Sequence, residues 1–149
     1  MADTMDVPPK ILLAFGQPQL RILYAAIVTA WNPDIVLETA GTLEELVSKA
    51  RTGGFDAVIA EYAPPGSLDC AQEGLDGIQA ASRLRQEGSQ VPIIIVSSYP
   101  DAELYALLNG ANKFIVQAGR YFSNLTLPDV LGRYAPGSAP ERPARTLFD

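Results

Sequence analysis

Apolar residues in this 149-residue chain come as short runs, separated by longer stretches in which they recur at helical spacing. Lys10 to Phe15 (KILLAF) is the first run, and Gly16 stops it. Pro18 suits the first turn of a helix, where its missing N–H has no partner to lose. Leu20, Leu23, Tyr24, Ile27 and Val28 then predict a helix over 18–31, ended by Asn32-Pro33. Asp34 to Thr39 (DIVLET) reads as a second strand. Thr42 and Glu45 form a T-x-x-E capping box, which opens a helix through Arg51 that Gly53-Gly54 closes. Phe55 to Glu61 (FDAVIAE) predicts a third strand, Ala63-Pro64-Pro65-Gly66 opens a loop, and residues 67–75 extend it. Asp76 can cap a helix running to about Glu87. Pro92 to Ser97 (PIIIVS), apolar on both faces, predicts a central strand. A helix from Pro100-Asp101 to Asn109-Gly110, a fifth strand over Lys113 to Gln117 (KFIVQ) and a last short helix from Pro128 to about Tyr134 complete the pattern.

Five short strands alternating with helices predict an α/β fold: a doubly wound, five-stranded parallel sheet of order 2-1-3-4-5 with helices on both faces. The folded domain spans residues 10–135. Residues 1–9 read as a flexible lead-in and 136–149, rich in proline and small residues, as a mobile tail. In such sheets chemistry sits beyond the carboxyl ends of the strands. That rule singles out Phe15, Gly16, Glu61, Ser97 and Gln117.

Composition narrows what those positions can do. Eleven basic against seventeen acidic residues give a formal net charge of -6, with no Lys/Arg cluster, so a nucleic-acid partner is not expected. There is no histidine, which removes imidazole bases and most transition-metal sites. Cys70, the single cysteine, has Asp69 and Glu73 nearby, and their charges disfavour a reactive thiolate. Those two with Asp76 read as solvated loop carboxylates rather than a cation cage. No run approaches the roughly eighteen apolar residues of a membrane helix. With an acidic, prolyl N-terminus, the expectation is a cytoplasmic protein that does not engage membranes. No G-x-G-x-x-G follows the first strand, so no dinucleotide cofactor is expected.

KILLAFGQP, FDAVIAEYAPPG followed by LDGIQAASRLR, VPIIIVSSYPD and GANKFIVQ, in this order and spacing, resemble the receiver domain of bacterial response regulators. The resemblance covers about residues 10–134 and implies a flavodoxin-like fold in two-component phosphorelay signalling. Against the family pattern, Phe15 and Gly16 stand where an acidic pair follows the first strand. Glu61 stands at the phosphoacceptor aspartate, and Gln117 at the lysine ending the fifth strand. Ser97 keeps the family's Ser/Thr, and Phe114, without a hydroxyl, matches the switch aromatic. The resemblance therefore implies a degenerate pseudo-receiver.

Phosphoryl transfer needs charge neutralised on the transferred group and the reacting atoms held in line. A single carboxylate is a poor magnesium site, since that ion demands several oxygen ligands in octahedral geometry. A missing cationic donor costs roughly 3 kcal/mol of transition-state stabilisation. Glutamate also moves the carboxylate outward by about 1.5 Å, one carbon–carbon bond. The expectation is no catalysis, no metal and no cofactor: a phosphorylation-independent protein-interaction module. For Glu61 two readings stand. Either its fixed charge imitates a phosphorylated aspartate, or it is a partly solvated strand-end carboxylate, with Gln117 and Ser97 in position to donate hydrogen bonds to it.

Receivers signal through the face made by their fourth helix, fifth strand and fifth helix. The resemblance places Tyr105, Lys113, Arg120, Tyr121 and Phe122 there, residue types that anchor interfaces. The implied partner is another signalling protein, a histidine kinase, a regulator or a second copy in a homodimer. Two alternatives remain: a phosphoaccepting receiver using Glu61 or Asp69, and a small-molecule sensor built on the rim of Phe15, Glu61 and Gln117, with Tyr62 and Tyr99 adding aromatic surface.

Overall fold

In a computed structural model, residues 7–63, 75–117 and 122–140 are described here, with only the backbone of 122–126. Cys70, Asp69, Glu73, Arg120 and Tyr121, most of the 67–75 extension, and the outer parts of the lead-in and tail lie outside these residues, as does the side chain of Phe122. Five strands, β1 (Lys10–Ala14), β2 (Val36–Ala40), β3 (Ala57–Glu61), β4 (Ile93–Ser97) and β5 (Lys113–Val116), pair in parallel in the order β2-β1-β3-β4-β5. This is the order expected from the sequence. The helices are α1 (Pro18–Trp31), α2 (Leu43–Thr52), α3 (Gly77–Gln86), α4 (Glu103–Leu108) and α5 (Phe122–Tyr134).

The period-two alternation of strand side chains divides the core in two. Leu12, Ala14, Val58, Ala60, Ile93 and Ile95 point to one face, where Leu46 of α2, Ile78 and Leu84 of α3 and Ala106 of α4 cover them. Ile11, Leu13, Ile59, Ile94 and Val96 point to the other, under Tyr24, Ile27 and Val28 of α1 and Leu127 and Leu131 of α5. Every residue of β3 and β4 is buried, so both had to be apolar on both faces. β2, at one edge, carries Glu38 and Thr39 in half-exposed or exposed positions.

Local chemistry sets the boundaries. Pro18 takes the first turn of α1. Thr42 Oγ1 accepts from the Glu45 N–H at 3.1 Å, while the Glu45 carboxylate reaches back to Gly41 N–H at 2.9 Å, one residue before the cap. Asp76 caps α3 by accepting from Gln79 N–H at 2.9 Å. The α3 C-terminus is tied to the start of β5 by Arg85, which donates to the carbonyls of Gly110 and Ser89 and to Asn112 Oδ1. Gly110 accommodates this turn at φ 108°, where a side chain would be strained.

Two boundaries differ from the sequence expectation. α5 starts at Phe122, so Pro128 is inside the helix rather than at its first turn. Interior proline costs roughly 3 kcal/mol. Burial of Leu127, Val130 and Leu131, each worth about 1.5–3 kcal/mol, outweighs it. The second difference concerns the start of the tail. Pro136–Ser138 forms a 3-10 turn whose Ser138 is fully buried and whose carbonyl accepts from Asn32 Nδ2 at 2.9 Å, so packing continues past residue 135. Among the described residues no helix is long and apolar enough to cross a membrane.

α3 meets the end of β3 through Gly77. A Cβ there would lie 2.5 Å from the Glu61 carbonyl oxygen and 2.8 Å from Ala60 Cβ. Gly77→Ala is therefore expected to destabilise the fold by about 1–3 kcal/mol through overpacking. Gly132→Ala, in α5 with nothing within 4 Å of the new methyl, is expected to stabilise by up to about 1 kcal/mol. Urea unfolding of both variants checks the pair; equal midpoints would refute the close approach.

Candidate functional site

The carboxyl ends of β1, β3, β4 and β5 form a rim, and the residues predicted from the sequence gather there. β1 ends at Ala14, and Phe15 continues into the turn before α1 with its ring fully buried. The ring stacks on Tyr24 of α1, centroids 4.7 Å apart and planes 16° apart. Arg21, also on α1, donates from Nη1 to the Phe15 carbonyl. Phe15 thus belongs to the core under α1.

Glu61 ends β3 and is only 6% exposed, so the expectation of a partly solvated carboxylate is corrected. Its neighbours in the sheet are buried on both faces, and Leu75 closes over it. Each oxygen meets a backbone donor: Oε1 accepts from Gly16 N–H at 3.2 Å and Oε2 from Leu75 N–H at 2.9 Å. Burial pushes the carboxyl above its ordinary value, and the two N–H groups and the more remote charge of Arg21 pull the other way. One carboxylate thus spans two backbone donors from different connections.

The expected bonds from Ser97 and Gln117 to Glu61 do not form. Ser97 Oγ instead donates to the Tyr62 carbonyl at 2.7 Å and accepts from Tyr99 N–H at 3.1 Å, a local bridge between the ends of β3 and β4. Gln117 accepts at Oε1 from the Tyr24 hydroxyl at 2.8 Å. Phe114 is buried on the opposite face of the sheet, among the residues under α2, α3 and α4.

Three participants escaped sequence reasoning. Tyr24 carries only a helical-spacing signal, which marks it as core and conceals its hydroxyl. The N–H groups of Gly16 and Leu75 have no side-chain signature at all. Of the interaction-face positions, Tyr105 is 51% exposed and meets Tyr62 edge-on at 6.4 Å, while Lys113 is half-buried.

The residues present do not fit a magnesium ion. Two N–H groups already point their positive ends at Glu61, the one carboxylate among the described residues lining the rim, and no group of three or more Asp, Glu, Cys or His side chains suited to a metal occurs among the described residues.

No family model matches the chain, and no curated protein matches it. Solved structures do. The response regulator TrrA of Thermotoga maritima, solved with Mg2+ and BeF, superposes with a TM-score of 0.68 at 20% identity, covering 85% of this chain and 98% of that one. The chemotaxis response regulator CheY4 of Vibrio cholerae gives 0.67 at 20% identity, covering 86% and 99%. A CheY-like receiver domain from Methanospirillum hungatei JF-1 gives 0.70 at 14% identity, covering 89% and 97%. The chain has the receiver-domain fold. At these identities the match speaks for architecture, and the chemistry of the rim has to be argued from its own residues.

Two outcomes follow for Glu61. Glu61→Asp keeps the charge but is too short to hold both N–H groups, so a loss of about 1–3 kcal/mol is expected on denaturant unfolding. A raised carboxyl pKa means the folded state holds the proton longer than the unfolded state does. Stability from this group is complete below the ordinary carboxyl range and is lost as pH rises through the folded value. The stability difference between the wild type and Glu61→Gln should therefore shift against the wild type as pH rises above about 4.5. A pH-independent difference would show that Glu61 is not perturbed.

Proposed function

We propose that this receiver-fold chain is a phosphorylation-independent protein-interaction module of a bacterial signalling system, without enzymatic activity. The observation that carries this reading is the state of Glu61. Its oxygens are engaged by Gly16 and Leu75, the neighbouring Phe15 is a core residue, and the cationic position is taken by a glutamine already bonded to Tyr24. Among the described residues lining this rim, a phosphoryl group would find neither a metal-binding set of carboxylates nor a lysine or arginine. As a phosphoaspartate mimic, Glu61 brings one charge and two oxygens instead of nearly two charges and three, and it directs both oxygens at backbone.

Output then rests on shape. α4 offers a surface for it: Leu104 is 67% exposed, Leu108 77%, and Leu107 and Tyr105 are also open, while Ala106 alone of this stretch is buried. Four large apolar side chains within one short helix exceed what scattered surface residues need, and such patches mark contact sites. Tyr105 joins this face to the rim through its edge contact with Tyr62. Partners consistent with it are a kinase, a regulator or a second copy of the chain, and the proposed domain is the body over residues 10–135 and its short continuation to Ser138.

Incubation with acetyl phosphate and Mg2+ is expected to add no phosphoryl group by intact mass. A stoichiometric adduct would refute the reading. Leu104→Glu with Leu108→Glu is expected to leave thermal stability within about 0.5 kcal/mol of the wild type, as exposed substitutions do. The same double variant should abolish the partner contact seen by crosslinking in the native host; retained crosslinks would move the contact to another face.

A further inference from the structure

Between α1 and the ends of β3, β4 and β5 lies a cavity of about 300 Å³, at the small end of the range for ligand sites. Phe15, Leu20 and Val96 give it apolar walls, and Tyr62 and Tyr99 add aromatic rings. Glu61 and Gln117 supply its polar end. Among the described residues that line it there is no Lys or Arg, and Glu61 is the one with a formal charge; the nearest described cation, Arg21, acts on Glu61 from outside the lining. Asp76, which caps α3 next to Tyr62, adds to the negative field there, and together with burial it pushes the Tyr62 hydroxyl upward.

This distribution selects ligands by charge. An anion, phosphate included, would lie against a buried carboxylate with no cationic side chain among the described lining residues to compensate. A neutral apolar molecule would use the walls and leave Glu61 as desolvated as before. A flat cation with N–H donors uses both. Each carboxylate oxygen has a second lone-pair direction beside the one given to backbone, and aromatic faces attract a delocalised positive charge. We propose that this cavity is a binding site for a small aromatic cation bearing N–H donors, of the amidine or arylmethylamine class, seated with its charge on Glu61 and its ring between Phe15, Leu20 and the two tyrosines. This assignment does not rest on the interaction reading above; it requires only the cavity and its charge.

Three isosteric probes separate the possibilities: benzamidine, benzamide and benzoate, titrated into the full-length ¹⁵N-labelled protein. Benzamidine is expected to shift the backbone amide signals of Gly16, Leu75 and Gln117 saturably, with a dissociation constant at least about tenfold below those of the other two. Glu61→Gln should remove that preference. Because Glu61 also holds two loops together, Ser98→Lys serves as an independent variant: Ser98 lines the cavity and is exposed, so the fold tolerates it. The added cation should weaken benzamidine about tenfold or more and leave benzamide unchanged. Equal shifts from all three probes, a preference for benzoate, the absence of saturable shifts with benzamidine, or a benzamidine affinity untouched by Ser98→Lys would each overturn the assignment.

Discussion

One buried carboxylate organises the functional end of this molecule. Glu61 ends the central strand, and two backbone N–H groups point at its oxygens. One comes from the turn after β1, the other from the segment that returns the chain to α3. A single side chain therefore pins two connections to the central strand without metal or salt bridge. The cost of burying the charge is only partly offset by those dipoles, which is why the carboxyl holds its proton longer than usual. The rest of the rim obeys the same neutral logic. The aromatic stack of Phe15 on Tyr24, the Tyr24 bond to Gln117 and the Ser97 bridge to Tyr62 link β1, α1, β3, β4 and β5 by contacts that carry no net charge.

The rim residues spend their hydrogen bonds on one another and on backbone: Glu61 on residues 16 and 75, Gln117 on Tyr24, Ser97 on Tyr62 and Tyr99. Switching in a phosphoryl-driven domain requires that the added charge find partners in one state and not in the other. An added charge here would have to displace these existing contacts, on which the proposed interaction role rests. Among the described residues, four of the exposed large apolar side chains cluster on α4, away from the β1 and α1 side of the rim, with Tyr105 and Tyr62 in contact between the two regions. The proposed contact face and the proposed cavity site are therefore separate regions of one scaffold, joined by the Tyr105–Tyr62 contact.

The packing around Gly77 shows how little freedom the site has. The first turn of α3 lies against the Glu61 carbonyl at a distance that admits no side chain, so α3, Leu75 and the carboxylate are positioned as a unit. Arg85 does equivalent work at the opposite end of α3, where its three hydrogen bonds fix the connection from α4 into β5. Between them, these contacts hold the helix whose N-terminus closes over Glu61.

The sequence by itself determined the architecture. Uninterrupted apolar runs in FDAVIAE and PIIIVS required strands covered on both faces, the capping residues Thr42 and Asp76 located two helices, and the strand-end rule brought Phe15, Gly16, Glu61, Ser97 and Gln117 to one rim. All of these depend on local spacing or on composition along one segment, which is why they are legible in one dimension. What only the tertiary structure decided is which group each rim residue meets. The sequence leaves Glu61 either a phosphoaspartate mimic or a partly solvated carboxylate within reach of Ser97 and Gln117, whereas in the fold it bonds to the backbone of residues 16 and 75, whose donors carry no residue-type signal. Tyr24 was visible as a core position, and its hydroxyl reached Gln117 only because α1 crosses the sheet at that height. The helix through Pro128 belongs to the same class, since burial of Leu127, Val130 and Leu131 overrode a local rule. Spacing fixes which face a side chain takes, whereas hydrogen-bond partners depend on distances between segments far apart in the chain, and those exist only once the layers have packed.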